Sequence, residues 1–146
     1  MSVLASLLLS ACVGLAPASP AGPPIEVTAG VGAYQSAPVA TSFSLRLGVT
    51  VTDAEEHPVP GARVTFTAPA RGPSGRFTTS TQNSKKSRPR ISHPRSVTIT
   101  TDACGIAVAP AFTANRQPGG YIVTAAVAHV RPAAFALVNA ASGQQP

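Results

Sequence analysis

The residues of this chain best able to do chemistry are five cations packed into one short stretch, Lys85, Lys86, Arg88, Arg90 and Arg95. Clustered cations on an exposed segment attract phosphates, sulfated glycans and acidic cell-wall polymers. The formal net charge is +6, and without these five the remainder is near +1. The basic pI of 10.4 therefore describes one segment and not the whole surface. No aromatic residue interrupts the cluster to stack on a base, so no nucleic-acid partner is expected. The plainer expectation for the same residues is a solvated insertion in a surface loop. A second group, Asp53, Glu55 and Glu56 beside His57, offers carboxylates of the kind calcium takes. Its spacing fits neither an EF-hand nor a zinc pattern, and a solvated turn is the expectation. His57, His93 and His129 stand alone in sequence, Gly72-Pro73-Ser74-Gly75 lacks nucleophile-elbow order, and there is no phosphate loop. No catalytic residue, metal or cofactor is expected.

The two cysteines fall in different contexts. Val3 to Leu9 is apolar, too short to span a bilayer, and is followed by small residues, as in the core of an export signal. Leu9-Ser10-Ala11-Cys12 resembles the bacterial lipobox, which implies lipidation at Cys12 and a mature chain starting there. Ala16-Pro17-Ala18 offers a second processing site, and no Lys or Arg precedes the apolar run. Residues 1–24 thus read as a signal and lipobox segment with a Pro-rich tether, or as a retained apolar tail. Lipidation would leave Cys104 for an intermolecular disulfide or as an exposed thiol, whereas retention would allow Cys12 and Cys104 to pair.

The elements that must position these groups are strands. The chain has 146 residues, of which 44% are hydrophobic and 11% charged, with 15 prolines and 12 glycines. That suits one domain, excludes long helices through most of its length, and favours a Thr- and Val-rich sheet. Apolar residues alternate from Phe43 through Leu45, Leu47 and Val49 to Val51, predicting one strand from Ser42 to Asp53 with one buried face. Shorter alternating runs follow around Val64 and Phe66, at Phe77, at Val97 and Ile99, from Ile106 to Ala114 with a break at Pro110, from Tyr121 to Val127, and from Ala133 to Leu137. Ile25 to Thr28 predicts the first strand, and Gln82 to Pro94 a long irregular connection carrying the cations. The expected domain is 25–139, followed by a polar tail over 140–146. Its expected fold is an all-β, Ig-like sandwich of about seven to eight antiparallel strands.

Several segments in this order carry a resemblance. They are Tyr34-Gln35-Ser36-Ala37 with Phe43, Val51-Thr52-Asp53, Pro58-Val59-Pro60-Gly61 with Val64-Thr65-Phe66, Gly72 to Phe77, Thr101 to Ala107, Phe112-Thr113-Ala114-Asn115, and Gly120 to Ala125. Together they resemble the bacterial Ig-like domain, group 1, of the invasin and intimin family. Gly120-Tyr121-Ile122-Val123 is also similar to the tyrosine corner of Ig-like folds, with Val123 where antibody domains carry cysteine. The resemblance implies a non-catalytic surface module of the bacterial envelope, engaged in display, adhesion or contact with a protein or glycan. A membrane link would come from the lipid at Cys12. Two other readings stay open, a polyanion-binding envelope protein using 85–95, and a fragment of a longer invasin-like adhesin.

Overall fold

Alternation of branched or aromatic residues with Thr, Ser and Arg decides where this chain becomes sheet. In the segment Arg63–Thr67, Val64 and Phe66 are fully buried while Arg63 and Thr67 are exposed. The computed structural model describes residues 22–81 and 88–141. Among these there is no helix, and twelve strands are formed: β1 (Glu26–Ala29), β2 (Tyr34–Pro38), β3 (Gly48–Thr52), β4 (Arg63–Thr67), β5 (Gly75–Phe77), β6 (Thr79–Thr81), β7 (Arg90–Ser92), β8 (Ser96–Thr100), β9 (Ile106–Val108), β10 (Phe112–Ala114), β11 (Gly119–Ala126) and β12 (Ala133–Ala140). The architecture is therefore all-β.

A five-stranded sheet runs β2-β12-β11-β4-β8, a three-stranded sheet runs β1-β3-β9, and β10-β5 and β6-β7 form pairs. The Phe43 N–H donates to the Phe112 carbonyl at 2.9 Å and the Ala109 N–H to the Leu47 carbonyl at 2.8 Å, linking the three-stranded sheet to the β10-β5 pair. The buried faces meet in one apolar core. Phe66 of β4 and Phe77 of β5 have ring centroids 6.3 Å apart, and Phe112 of β10 and Tyr121 of β11 lie 6.4 Å apart. Contact of this kind between the large sheet and the β10-β5 pair supplies the hydrophobic stabilisation, at about 2–3 kcal/mol for a fully buried Phe.

Turn chemistry fixes the corners. The Asp102 Oδ1 accepts the Cys104 and Ile106 N–H groups, and Gly105 turns the chain at φ 71°. A Cβ at Gly105 would lie 2.7 Å from the Val51 carbonyl oxygen, so this turn needs glycine for space as well as for its left-handed backbone. The buried Thr101 hydroxyl donates to the Val59 carbonyl at 2.7 Å and accepts the Ala62 N–H at 2.8 Å, stapling the turn to the start of β4.

Four expectations need correction. The strand predicted over Ser42 to Asp53 is regular only from Gly48, and Leu45 is 53% exposed. The cause is the Gln35 side chain, whose Oε1 accepts the Leu45 N–H at 2.9 Å and whose Nε2 donates to the Leu45 carbonyl at 2.8 Å. A side chain thus takes the place of a ladder partner, and the period slips so that Leu47, Gly48 and Val49 are buried in succession. The strand number exceeds the expected seven to eight, partly because Pro110 divides 106–114 into β9 and β10 and Thr78 divides β5 from β6. The sheets are not wholly antiparallel, since β2 runs parallel to β12, pairing Tyr34 with Ala136 and Pro38 with Ala140. Finally, part of the predicted connection 82–94 is the strand β7, paired with β6.

Candidate functional site

The basic segment is built as an arm on the sheet. Phe77 is buried, and its N–H donates to the Pro94 carbonyl at 2.9 Å, so the arm leaves and returns at one root. Beyond the root, β6 and β7 align Thr79 with Ser92 and Thr81 with Arg90. The Thr79 and Ser92 hydroxyls lie 2.6 Å apart, a cross-strand pair of the type that stabilises short ladders. Of the five cations expected to form the site, Arg88, Arg90 and Arg95 are described, and all three are exposed. Arg90 opens β7, and the Arg95 carbonyl accepts the Ala68 N–H where β8 begins. Lys85 and Lys86 lie outside the described residues. The structure adds Arg76 of β5, whose Nη1 donates to the His93 carbonyl at 3.2 Å. The alternation Gly75-Arg76-Phe77, buried on either side of an exposed Arg, was the available signal for it. Among the described residues, none of these arginines pairs with a carboxylate, and the ion pairs present belong to His57. Their positive charge therefore faces solvent, where it is screened over about 8 Å at physiological salt.

The acidic turn is not simply solvated as expected. Asp53 is buried, 4% exposed, while Glu55, Glu56 and His57 are exposed. The Asp53 Oδ2 accepts the Gly22 N–H at 3.0 Å, and Oδ1 accepts the Glu55 and His57 N–H groups at 2.9 Å each. These bonds, led by that from Gly22, hold its carboxyl below the ordinary aspartate value against the opposing effect of burial. Asp53, Glu55 and His57 can bring one ligand atom each within 4.8 Å of one another. The backbone donors already occupy Asp53, so the turn is accounted for as a staple for the chain entering β1. Because the folded-state pKa is depressed, the contribution of Asp53 is present above its unfolded value and lost as pH falls through the folded one. Asp53→Asn should therefore destabilise the protein at neutral pH and weaken the loss of stability below about pH 4, read as thermal midpoint against pH.

Cys104 sits half-buried in its turn, and its sulfur is not free. Cys12, with the lipidation and pairing expectations attached to it, lies outside the described residues. Tyr121 is half-buried, and its hydroxyl donates to the Asn139 Oδ1 at 2.9 Å. This is not the tyrosine corner the sequence suggested, because the hydroxyl bonds a side chain of β12 and not upstream backbone. Burial pushes the Tyr121 hydroxyl upward, which keeps it a neutral donor. Asn139 was missed in the sequence. It is 1% exposed, and its Nδ2 donates to the Ser74 carbonyl, the Asn115 Oδ1 and the Gln117 carbonyl at 2.9–3.0 Å. This knot ties three loops to the last strand. A shallow, open depression beside it is lined by Val39, Ala40, Arg116, Pro118 and Ala141 and gathers no reactive constellation. No protein-family model matches this sequence, and no curated protein matches it.

Proposed function

We propose that this chain is an exported bacterial Ig-like β-sandwich module, similar to the group 1 domains of the invasin and intimin family. Its work is structural display or protein contact at the cell surface, without catalysis. The observation that supports this best is where the motifs carrying the resemblance fall. Val64 and Phe66 lie in the core, Gly105 takes positive φ in the Thr101 to Ala107 turn, and Phe112 packs against Tyr121 across the core. An all-β frame with one apolar core suits display, because loops and edges can vary while the core holds. The test is the intact mass and membrane partition of the full chain expressed in a bacterium, compared with Cys12→Ala. Recovery of the chain with the envelope fraction is expected, and a lipid increment on a chain starting at Cys12, lost in the variant, would identify the anchor. An unmodified chain starting at Met1 and remaining in the cytosol would overturn the reading.

One observation favours a second reading, binding of an acidic polymer. Arg88, Arg90 and Arg95, joined by Arg76, are exposed around one arm and carry no carboxylate partner among the described residues. On this reading, changing Lys85, Lys86, Arg88, Arg90 and Arg95 to Gln weakens binding to immobilised heparin about tenfold at physiological salt. Unchanged retention would dismiss the arm as a binding site.

A further inference from the structure

We infer that the open edge of β8 is an interaction surface for a second copy of this chain. The five-stranded sheet ends in β2 on one side and β8 on the other. The β2 edge is blunted by Pro38, which has no N–H to offer. The β8 edge, Ser96-Val97-Thr98-Ile99-Thr100, carries neither charge nor proline.

The register shows which groups point outward. β8 pairs with β4 so that Val64 faces Ile99 and Phe66 faces Val97. The Ala68 N–H donates to the Arg95 carbonyl and the Thr101 N–H to the Ala62 carbonyl, each at 2.8 Å. The hydrogen-bonded positions of β8 are therefore the odd ones. The N–H and C=O groups of Ser96, Thr98 and Thr100 face away from β4. Among the described residues these groups have no backbone partner. Ile99 is only half-buried at this edge.

A second β8, antiparallel and centred on Thr98, matches the strand to itself. Thr98 meets Thr98, Ser96 meets Thr100, and Val97 meets Ile99. Hydroxyl faces hydroxyl on the outer side, where Thr98 already approaches Thr65 and Ser96 approaches Thr67. Branched aliphatic faces branched aliphatic on the core side. Every outward N–H and C=O then finds a partner, and half-buried Ile99 is covered. Arg95, just before the strand, comes to the end where the other copy carries Asp102, an exposed residue of opposite charge. The points where the arms join β8 lie at opposite ends of the paired strands, separated by about 16 Å of strand, beyond the screening length of about 8 Å. The contact is isologous, closes on itself and leaves no new β8 edge to propagate.

The test is sedimentation velocity of the full chain at physiological salt, from about 5 to about 500 µM, the range in which a small edge contact associates. Wild type is expected to pass from monomer to dimer. Thr98→Lys and Thr98→Glu, each placing like charges opposite one another at the two-fold, should each weaken the dimer at least about tenfold. An equimolar mixture of the two variants should restore it. Independently of any variant, the Thr98 and Thr100 amides of wild type should gain exchange protection as concentration rises. A wild type that stays monomeric throughout, a dimer indifferent to Thr98→Lys, or a mixture that does not recover would each overturn the inference, as would amide protection at β8 that ignores concentration.

Discussion

Replacing Asn139 with alanine is expected to lower the unfolding free energy by about 3 kcal/mol. The thermal midpoint should fall by about 10 °C. The side chain is fully enclosed, and its amide serves the Ser74 carbonyl, the Asn115 Oδ1, the Gln117 carbonyl and the Tyr121 hydroxyl together. Alanine removes the acceptor of the Tyr121 hydroxyl and the two N–H groups that the Ser74, Asn115 and Gln117 oxygens share. Each orphaned buried group costs about 1–3 kcal/mol, but the total is held down because the Ser74 carbonyl keeps the Asn115 N–H, which donates to it at 2.9 Å. Gln117 is exposed and can turn to water. Urea titration of wild type, Asn139→Ala, Tyr121→Phe and the double variant separates the parts. Tyr121→Phe alone should cost about 1 kcal/mol, and much of that should vanish when Asn139 is already alanine. A loss below about 1 kcal/mol for Asn139→Ala would mean that water enters and the knot is not closed.

Which parts of this arrangement the sequence disclosed depends on the range of the interactions involved. The alternation around Val64 and Phe66, the Asp-x-x-Gly turn ending in Gly105 and the interruption at Pro110 are local rules, and each appears in the structure at the residues that carry it. The bend at Leu45 is not local, because it depends on a side-chain clasp from Gln35, ten residues away, that no periodicity encodes. The parallel pairing of β2 with β12 joins segments about a hundred residues apart and could not be read from either. Burial of Asp53 likewise needs the Gly22 backbone to arrive at its carboxylate. Asn139 was within reach. Ala133, Phe135 and Leu137 point inward, so period two places residue 139 inward as well, and a polar residue there signals a buried network. In the basic segment, all three residues of β7 are exposed, so pairing with β6 produced no hydrophobic period to detect. Arg76 joins the arm through a long-range bond from its side chain to the His93 carbonyl.

Phe66→Ala should be the most damaging single substitution, costing about 3–5 kcal/mol. β4 lies between β11 and β8, and Phe66 is flanked in register by Ala125 on one side and Val97 on the other. Its ring is fully buried, 6.1 Å from Phe135 of the same sheet and 6.3 Å from Phe77 of β5, the latter edge-on. Removing it deletes buried area and two aromatic contacts. The flanking strands are held by their ladders and cannot close fully on the void. Phe66→Leu keeps most of the volume and should cost about 1.5 kcal/mol or slightly more, so the comparison isolates the cavity from the lost hydrophobicity. A domain of this size has about 5–15 kcal/mol of stability in all, so the alanine variant should lie near its unfolding transition at 37 °C. The loss should not stay at the mutated strand. Phe77 leans on Phe66, its N–H holds the Pro94 carbonyl, and that bond forms the root of the basic arm. Amide exchange at Phe77 should therefore accelerate in Phe66→Ala as much as exchange within β4. If it is unchanged while the global stability falls, the arm is rooted in β6-β7 pairing and not in the core.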